Sequence, residues 1–382
     1  MKIVIAPDSF KESLTALEVA TEIEAGFRAI FPDADYQKIP MADGGEGAVA
    51  AMVAATGGKL VFLEVTGPLG VPIQAFYGLT GDGNIAILEM AAASGLALVP
   101  PDLRNPLGTT SFGTGELIKA ALDAGARHLI IGIGGSATND GGAGMLQALG
   151  VKLEDGAGGE IGFGGGSLAA LDHIDVSGLD LRLKGCRVEA ACDVDNPLTG
   201  PTGASAVFGP QKGATPDMVT QLDKNLARYA ELINRDLGVQ VDSVAGAGAA
   251  GGMGAALLAY LGAKLRPGVE IVMEAVGLEA SIRDADLVLT GEGRIDSQTV
   301  HGKTPIGVAR MAKRHGKPVI GIAGCLSTDV GVVHEHGIDA AFSVLSQVCT
   351  MEEAMVHAAA NVRAASRNIA ATLKVALELR PL

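Results

Sequence analysis

The chain has no tryptophan and only 3% aromatic residues, so its core must be built mostly from aliphatic side chains. Cysteine is scarce: Cys186, Cys192, Cys325 and Cys349 form no CxxC pair and no metal-ligand spacing. A disulfide scaffold and a zinc cluster are thereby disfavoured, leaving buried, reduced thiols. Positive charge is in deficit, with a net charge of −14. That argues against a nucleic-acid partner, because phosphate backbones select clustered Lys and Arg. Long apolar runs are missing too. The N-terminus reaches charge too soon for a signal peptide, and the uncharged stretch 244–263 is mainly Ala and Gly, too weakly apolar to favour a membrane span. A soluble, cytoplasmic protein is expected. There is no HExxH, no GxSxG and no clear strand–GxGxxG–helix unit, so zinc-hydrolase, serine-hydrolase and dinucleotide-binding readings lack their constellations.

What is present is aliphatic and rich in glycine. Apolar residues make up 48% and charged residues 19% of 382 positions, enough for a large core and about two or three domains. The 54 glycines recur in short bursts between aliphatic runs, where backbone turns tightly or approaches a ligand. Short aliphatic runs alternating with helical patterns predict an α/β architecture with a parallel sheet. Lys2–Ala6 reads as a buried strand. Thr15 and Glu18 form a capping box, opening a helix with Leu17, Ala20, Ile23, Phe27 and Ile30 on one face. A second strand is expected near Tyr36–Met41, and 244–263 reads as a glycine-rich loop leading into a buried helix. Towards the C-terminus, Asp286–Thr290 and Lys317–Gly324 read as strands. Thr304 and Pro305 open a helix, and 351–379 reads as one long helix. Residues 60–90 carry Thr66-Gly67-Pro68-Leu69-Gly70 between strand-like runs, which predicts antiparallel hairpins. A discontinuous first domain (1–62 and 285–382) with a mixed α/β domain inserted (63–284) accounts for this order.

Ligands in open α/β sheets bind beyond the carboxyl ends of the strands. Three acid-bearing loops fall at predicted strand ends: Asp8-Ser9-Phe10-Lys11, then Asp43-Gly44-Gly45-Glu46, then Gly291 to Asp296 with Glu292 and Arg294. A sharper signal is the run 132–142, where Gly134, Gly135, Ser136, Thr138, Asn139, Asp140 and Gly141 follow an aliphatic strand and precede a helix near Gly144. Successive glycines free N–H groups to face an anion. Asp193 and Asp195 end a strand-like run at i, i+2, a spacing that would put both on one face of a strand. They are candidate ligands for a divalent cation, with Glu292. Gly302-Lys303-Thr304 resembles the end of a P-loop, but Ser297 occupies the first glycine position, so a true P-loop is rejected while Lys303 stays a phosphate candidate. His301 reads as incidental. Lys313, Arg314 and His315 read as complements to a helix C-terminus.

Taken together, APDSFKESLTA (6–16), MADGGEG (41–47), EMAAASGL (89–96), GTGELI (113–118), GIGGSATNDGG (132–142), CDVDNPL (192–198), FGPQKGA (208–214) and TGEGRIDSQTVHGKTP (290–305) resemble the bacterial type-1 glycerate kinase family, from residue 1 to about 375. The resemblance implies a flavodoxin-like domain built from both termini with an inserted mixed domain. It implies transfer of the ATP γ-phosphoryl group to D-glycerate with Mg²⁺, usually at the 2-hydroxyl, in a cleft between the domains. Side-chain chemistry then suggests Asp193 as leading base or metal ligand, with Asp8 and Asp296 behind it. Lys11, Arg294 and Lys303 would meet substrate carboxylate or phosphate, Ser9, Asp43, Gly44 and Gly45 would line the substrate, and the 134–141 loop would hold triphosphate. Rival readings are 3-hydroxyl regiochemistry, a phosphohydrolase or phosphomutase, and a non-catalytic hydroxy-acid sensor. A homo-oligomer stays open.

Overall fold

A computed structural model describes residues 1–45 and 47–379; Glu46 of the second acidic loop lies outside them. The chain divides into two compact units, Met1–Gly57 with Val269–Leu382, and Gly58–Gly268. The sequence boundaries of 62/63 and 284/285 differ from these divisions. Strand Lys59–Thr66 pairs along its length with Pro72–Leu79 and so belongs to the inserted unit. Helix Gly268–Ala275 begins at the second division, and its Val269 packs beside Gly307 of the first unit. Among the described residues no helix is long and apolar enough to cross a membrane.

In the discontinuous unit, five parallel strands run edge to edge as Ala340–Ser343, Val319–Leu326, Leu287–Ile295, Lys2–Pro7 and Asp35–Lys38. This is the flavodoxin-like order, which reverses direction of winding between Lys2–Pro7 and Leu287–Ile295. Helix Ala16–Arg28 is opened by the predicted capping box, with the Thr15 side chain accepting from the Glu18 amide and Glu18 accepting from the Thr15 amide. Its buried face is Val19, Ala20, Ile23 and Phe27, packed on Ile3, Ile5 and Leu289. Leu17 is exposed and Ile30 falls beyond the helix end, so the predicted stripe was one turn too long at each side. The C-terminal helix is two, Met351–Val356 and Ala358–Glu378, interrupted at His357, whose backbone (φ −98, ψ 11) leaves the helical region.

The inserted unit holds a six-stranded mixed sheet ordered Lys264–Arg266, Arg187–Ala191, His128–Gly132, Ile85–Glu89, Pro72–Leu79 and Lys59–Thr66. The first four are parallel, and the last two add an antiparallel hairpin turned at Gly67–Gly70, as the sequence predicted. A two-stranded ribbon, Lys152–Asp155 with Leu171–Asp175, lies apart from it. The glycine-rich segment does lead into a buried helix, Ala249–Leu261, through three left-handed residues, Ala250, Gly251 and Gly252.

Gly251 combines φ +66 with a position where a Cβ would sit 2.0 Å from the Thr138 carbonyl oxygen. Neither backbone can yield without moving the 132–142 run. Gly251→Ala is expected to destabilise the inserted unit by about 3 kcal/mol or more, read as a lowered melting temperature.

Candidate active site

Asp8 follows the last residue of strand Lys2–Pro7, beside Leu287–Ile295, at the point where the winding of the sheet reverses. Its amide donates to the Gly291 carbonyl at 2.8 Å, which fixes the backbone. Its carboxylate accepts from the Ser9 amide (2.6 Å) and the Thr304 hydroxyl (2.7 Å). Burial pushes Asp8 up to about 6. The Thr304 bond opposes this, the nearby Asp43 charge adds to it, and the Ser9 amide and Lys11 charge pull downward. A carboxyl poised near neutrality is suited to accept a proton. Asp8 and Ser9 also line a pocket of about 190 Å³ with Met41, Leu17 and Ala51.

The segment read as the loop Gly291–Asp296 is strand as far as Ile295, with Glu292 opposite Ala323 and Arg294 opposite Cys325. Extended backbone therefore carries these side chains past the end of strand Lys2–Pro7, whose pairing stops at Gly291. Glu292 accepts from the Thr299 hydroxyl (2.7 Å) and pairs with Lys303 (3.3 Å). Burial raises it, while Thr299 and Lys303 oppose and the Asp8 charge adds a smaller upward push. Arg294 is exposed and pairs with Asp296 at 3.2 Å. Asp296 also accepts from the Gln298 amide, closing a turn. Asp43 accepts from the Gly45 amide at 3.0 Å, so Gly44 and Gly45 form an Asx turn over it. Thr304 begins the helix Thr304–Arg314 with Lys303 as its cap residue, and its side chain serves Asp8 instead of capping. Lys313 and His315 pair with Asp339 and Glu279.

In the inserted unit, the 132–142 run turns most of its polar side chains inward. Thr138, Asn139 and Asp140 are fully buried, whereas Gly134 and Gly135 are exposed. Asp140 accepts from the Ser111 amide and hydroxyl (2.9 and 2.7 Å) and from the amides of Gly142 (3.0 Å) and Gly144 (3.3 Å). It braces the loop. Burial pushes its carboxyl above the usual aspartate range despite these four donors. Gly141 packs against the Tyr229 ring. The amides of Gly134, Gly135 and Ser136 meet no acceptor among the described residues, and Gly135 is left-handed at φ +71. Free N–H groups on a glycine-rich loop are the kind of donors that an anion uses.

Asp193 and Asp195 lie beyond strand Arg187–Ala191 on irregular, exposed backbone, so they do not share a strand face. Asp193 accepts from the Gly268 amide at 3.2 Å. Two exposed carboxylates suit a Mg²⁺ ion that keeps several waters and takes phosphate oxygens for the rest. Glu292 suits it less, since Thr299 and Lys303 occupy its oxygens. Among the described residues, no group of three or more His, Cys, Asp or Glu stands ready to hold a metal alone.

Sequence reasoning missed three contributors. Ser111 lies in a Thr-Thr-Ser run that carried no spacing signal, and Thr304 was read as a cap. Lys212 was visible only as the lysine of FGPQKGA; it is 2% exposed and donates to Ser136 Oγ (2.8 Å) and the Thr138 carbonyl (2.7 Å).

Both units are α/β, one with a carboxylate at its sheet's switch point and the other with a glycine loop whose amides meet no acceptor among the described residues. The chain belongs to the glycerate kinase family, whose profile matches residues 3–374, and is thus a phosphotransferase. It is 64% identical over 377 residues to the glycerate 2-kinase of Escherichia coli K12, covering 99% of both chains. It is 62% identical to the glycerate kinase of Bacillus subtilis 168, covering 98% of each. A crystal structure presented as a candidate glycerate kinase 2 from Salmonella typhimurium LT2 superposes with a TM-score of 0.93 at 65% identity, over 99% of this chain and 100% of that one.

Removing Asp140 would strand four donors in the interior. Asp140→Ala is expected to cost about 3 kcal/mol or more, measured by denaturant unfolding, and Asp140→Asn less because Asn keeps one acceptor oxygen.

Proposed function

We propose that the chain transfers the γ-phosphoryl group of ATP to the 2-hydroxyl of D-glycerate, giving 2-phospho-D-glycerate and ADP. The observation that carries this reading is the half-buried Asp8, held by Ser9 and Thr304 and raised to about 6. Asp8 takes the hydroxyl proton as the glycerate oxygen bonds to the γ-phosphorus, while the bond from that phosphorus to the bridging oxygen breaks and ADP leaves. This reading prefers Asp8 as base to Asp193, favoured by sequence, because Asp193 lies on exposed, irregular backbone. Lys11, Lys303 and Arg294 offer positive charge for the substrate carboxylate or the transferring group, and Asp43 with Ser9, Gly44 and Gly45 shapes the acceptor pocket.

The glycine-rich loop holds the triphosphate through the amides of Gly134, Gly135 and Ser136, with Thr138 to Gly141 supporting them from within. Asp193 and Asp195 would hold Mg²⁺, which offsets charge on the phosphoryl oxygens. The name of the Escherichia coli relative, glycerate 2-kinase, supports the 2-hydroxyl. The 3-hydroxyl is the competing acceptor. A cytoplasmic setting accords with the relatives' metabolic names.

Asp8→Asn should lower kcat at least about 100-fold with Mg·ATP affinity little changed. In the parent enzyme kcat/KM should fall with decreasing pH through about 6, as Asp8 gains a proton and ceases to be a base; that limb should vanish in Asp8→Asn. Stability moves the other way. Because the folded state raises Asp8 above its unfolded value, the parent loses stability as pH rises from about 4 to 6, so the melting temperature of Asp8→Asn should gain on the parent over that range. Normal turnover by Asp8→Asn would return the base to Asp193.

A further inference from the structure

Burying a lysine costs free energy unless its charge is answered, and an apolar residue of similar volume would fill the same space at no such cost. Lys212 is buried nonetheless, and its ammonium has three donors while the described residues supply two acceptors, Ser136 Oγ and the Thr138 carbonyl. Both acceptors belong to the run whose amides at Gly134, Gly135 and Ser136 meet no acceptor. Ser136 Oγ accepts from Lys212, so its own proton is free for a further partner, and none occurs among the described residues. Three amides and one polarised hydroxyl thus belong to one short segment, of which Gly134 and Gly135 are exposed, and the Lys212 ammonium is bonded to that hydroxyl.

We propose that Lys212 is a positioning residue for the phosphoryl donor: it fixes the Ser136 hydroxyl as a donor and lends positive charge to the Gly134–Ser136 amides that receive the polyphosphate of a nucleoside triphosphate. This rests on the kinase reading given above. Burial pushes Lys212 down to about 7, and the Asp140 charge pulls it partly back. A polyphosphate at the loop would add counter-charge to that of Asp140. Among the described residues no carboxylate forms an ion pair with the ammonium, and its two hydrogen-bond partners are neutral oxygens.

The test compares Lys212→Met, Lys212→Gln and Ser136→Ala in steady-state kinetics and in calorimetric titration with ADP. Lys212→Met should raise KM for Mg·ATP and Kd for ADP by about 10- to 100-fold, the range of a lost charge-assisted contact, while KM for D-glycerate moves less than about twofold. Lys212→Gln, which keeps a donor without the charge, should fall between Lys212→Met and the parent. If Lys212→Met does not fold, Lys212→Gln carries the same comparison. A lysine that only supports the fold would lower the melting temperature and the active fraction with both KM values unchanged, and that result overturns the proposal. Weak nucleotide binding in Ser136→Ala with normal binding in both Lys212 variants would sink the Lys212 role alone. Normal ADP binding in all three would remove the loop from the phosphate site, and the nucleotide assignment with it.

Discussion

A carboxylate placed where water is scarce resists ionisation, and Asp8 is placed there by the sheet itself. Strand Lys2–Pro7 is fully buried after Lys2, and register with Leu287–Ile295 sets Pro7 against Gly291. Asp8 comes next. Its amide is tied to the Gly291 carbonyl and its carboxylate to Ser9 and Thr304, which hold it half-buried beside the strand end. Burial raises the carboxyl to about 6, which on the proposed reading suits it to accept a proton near neutral pH. Glu292 follows from the same register, because pairing with Val319–Leu326 continues through Ile295, and Asp296, Thr299 and Lys303 come after the strand's end, where Thr299 and Lys303 meet Glu292.

The inserted unit meets a different demand. A loop that offers backbone amides to an anion must stay rigid, or the entropy of ordering it would consume the binding energy. Asp140 provides the rigidity from inside, gathering four donors from the Ser111 turn and from Gly142 and Gly144. Gly251 permits backbone to pass against Thr138, and Lys212 ties Ser136 to Thr138. The polar residues of the motif are therefore divided in duty. Thr138, Asn139 and Asp140 build the loop, and Gly134 to Ser136 present it.

Much of the fold was legible because it rests on local rules. The Thr15–Glu18 capping box, the hairpin at Gly67–Gly70 and the parallel order of aliphatic strands each follow from short-range pattern, and each is present. Ends of elements were less legible. The Gly291–Ile295 run looks like a loop because glycine and charge dominate it, yet pairing with Val319–Leu326 keeps it extended, and tertiary pairing leaves no local trace. The same limit applied to side-chain duty. Asp140 read as a ligand group until its buried partners became visible, and Thr304 read as a cap until its bond to Asp8, 296 positions away in sequence, appeared. Lys212 carried no signal beyond its motif, since no periodicity announces a buried ammonium.

The most direct measurement is ADP release by the purified protein with Mg·ATP, with and without D-glycerate, followed by phosphorus NMR of the product. ADP that depends on D-glycerate, with a 2-phosphoglycerate resonance growing in step, is the predicted result. A 3-phosphoglycerate resonance would keep the kinase and reverse the acceptor hydroxyl. Folded protein that releases no ADP in response to D-glycerate would contradict the account.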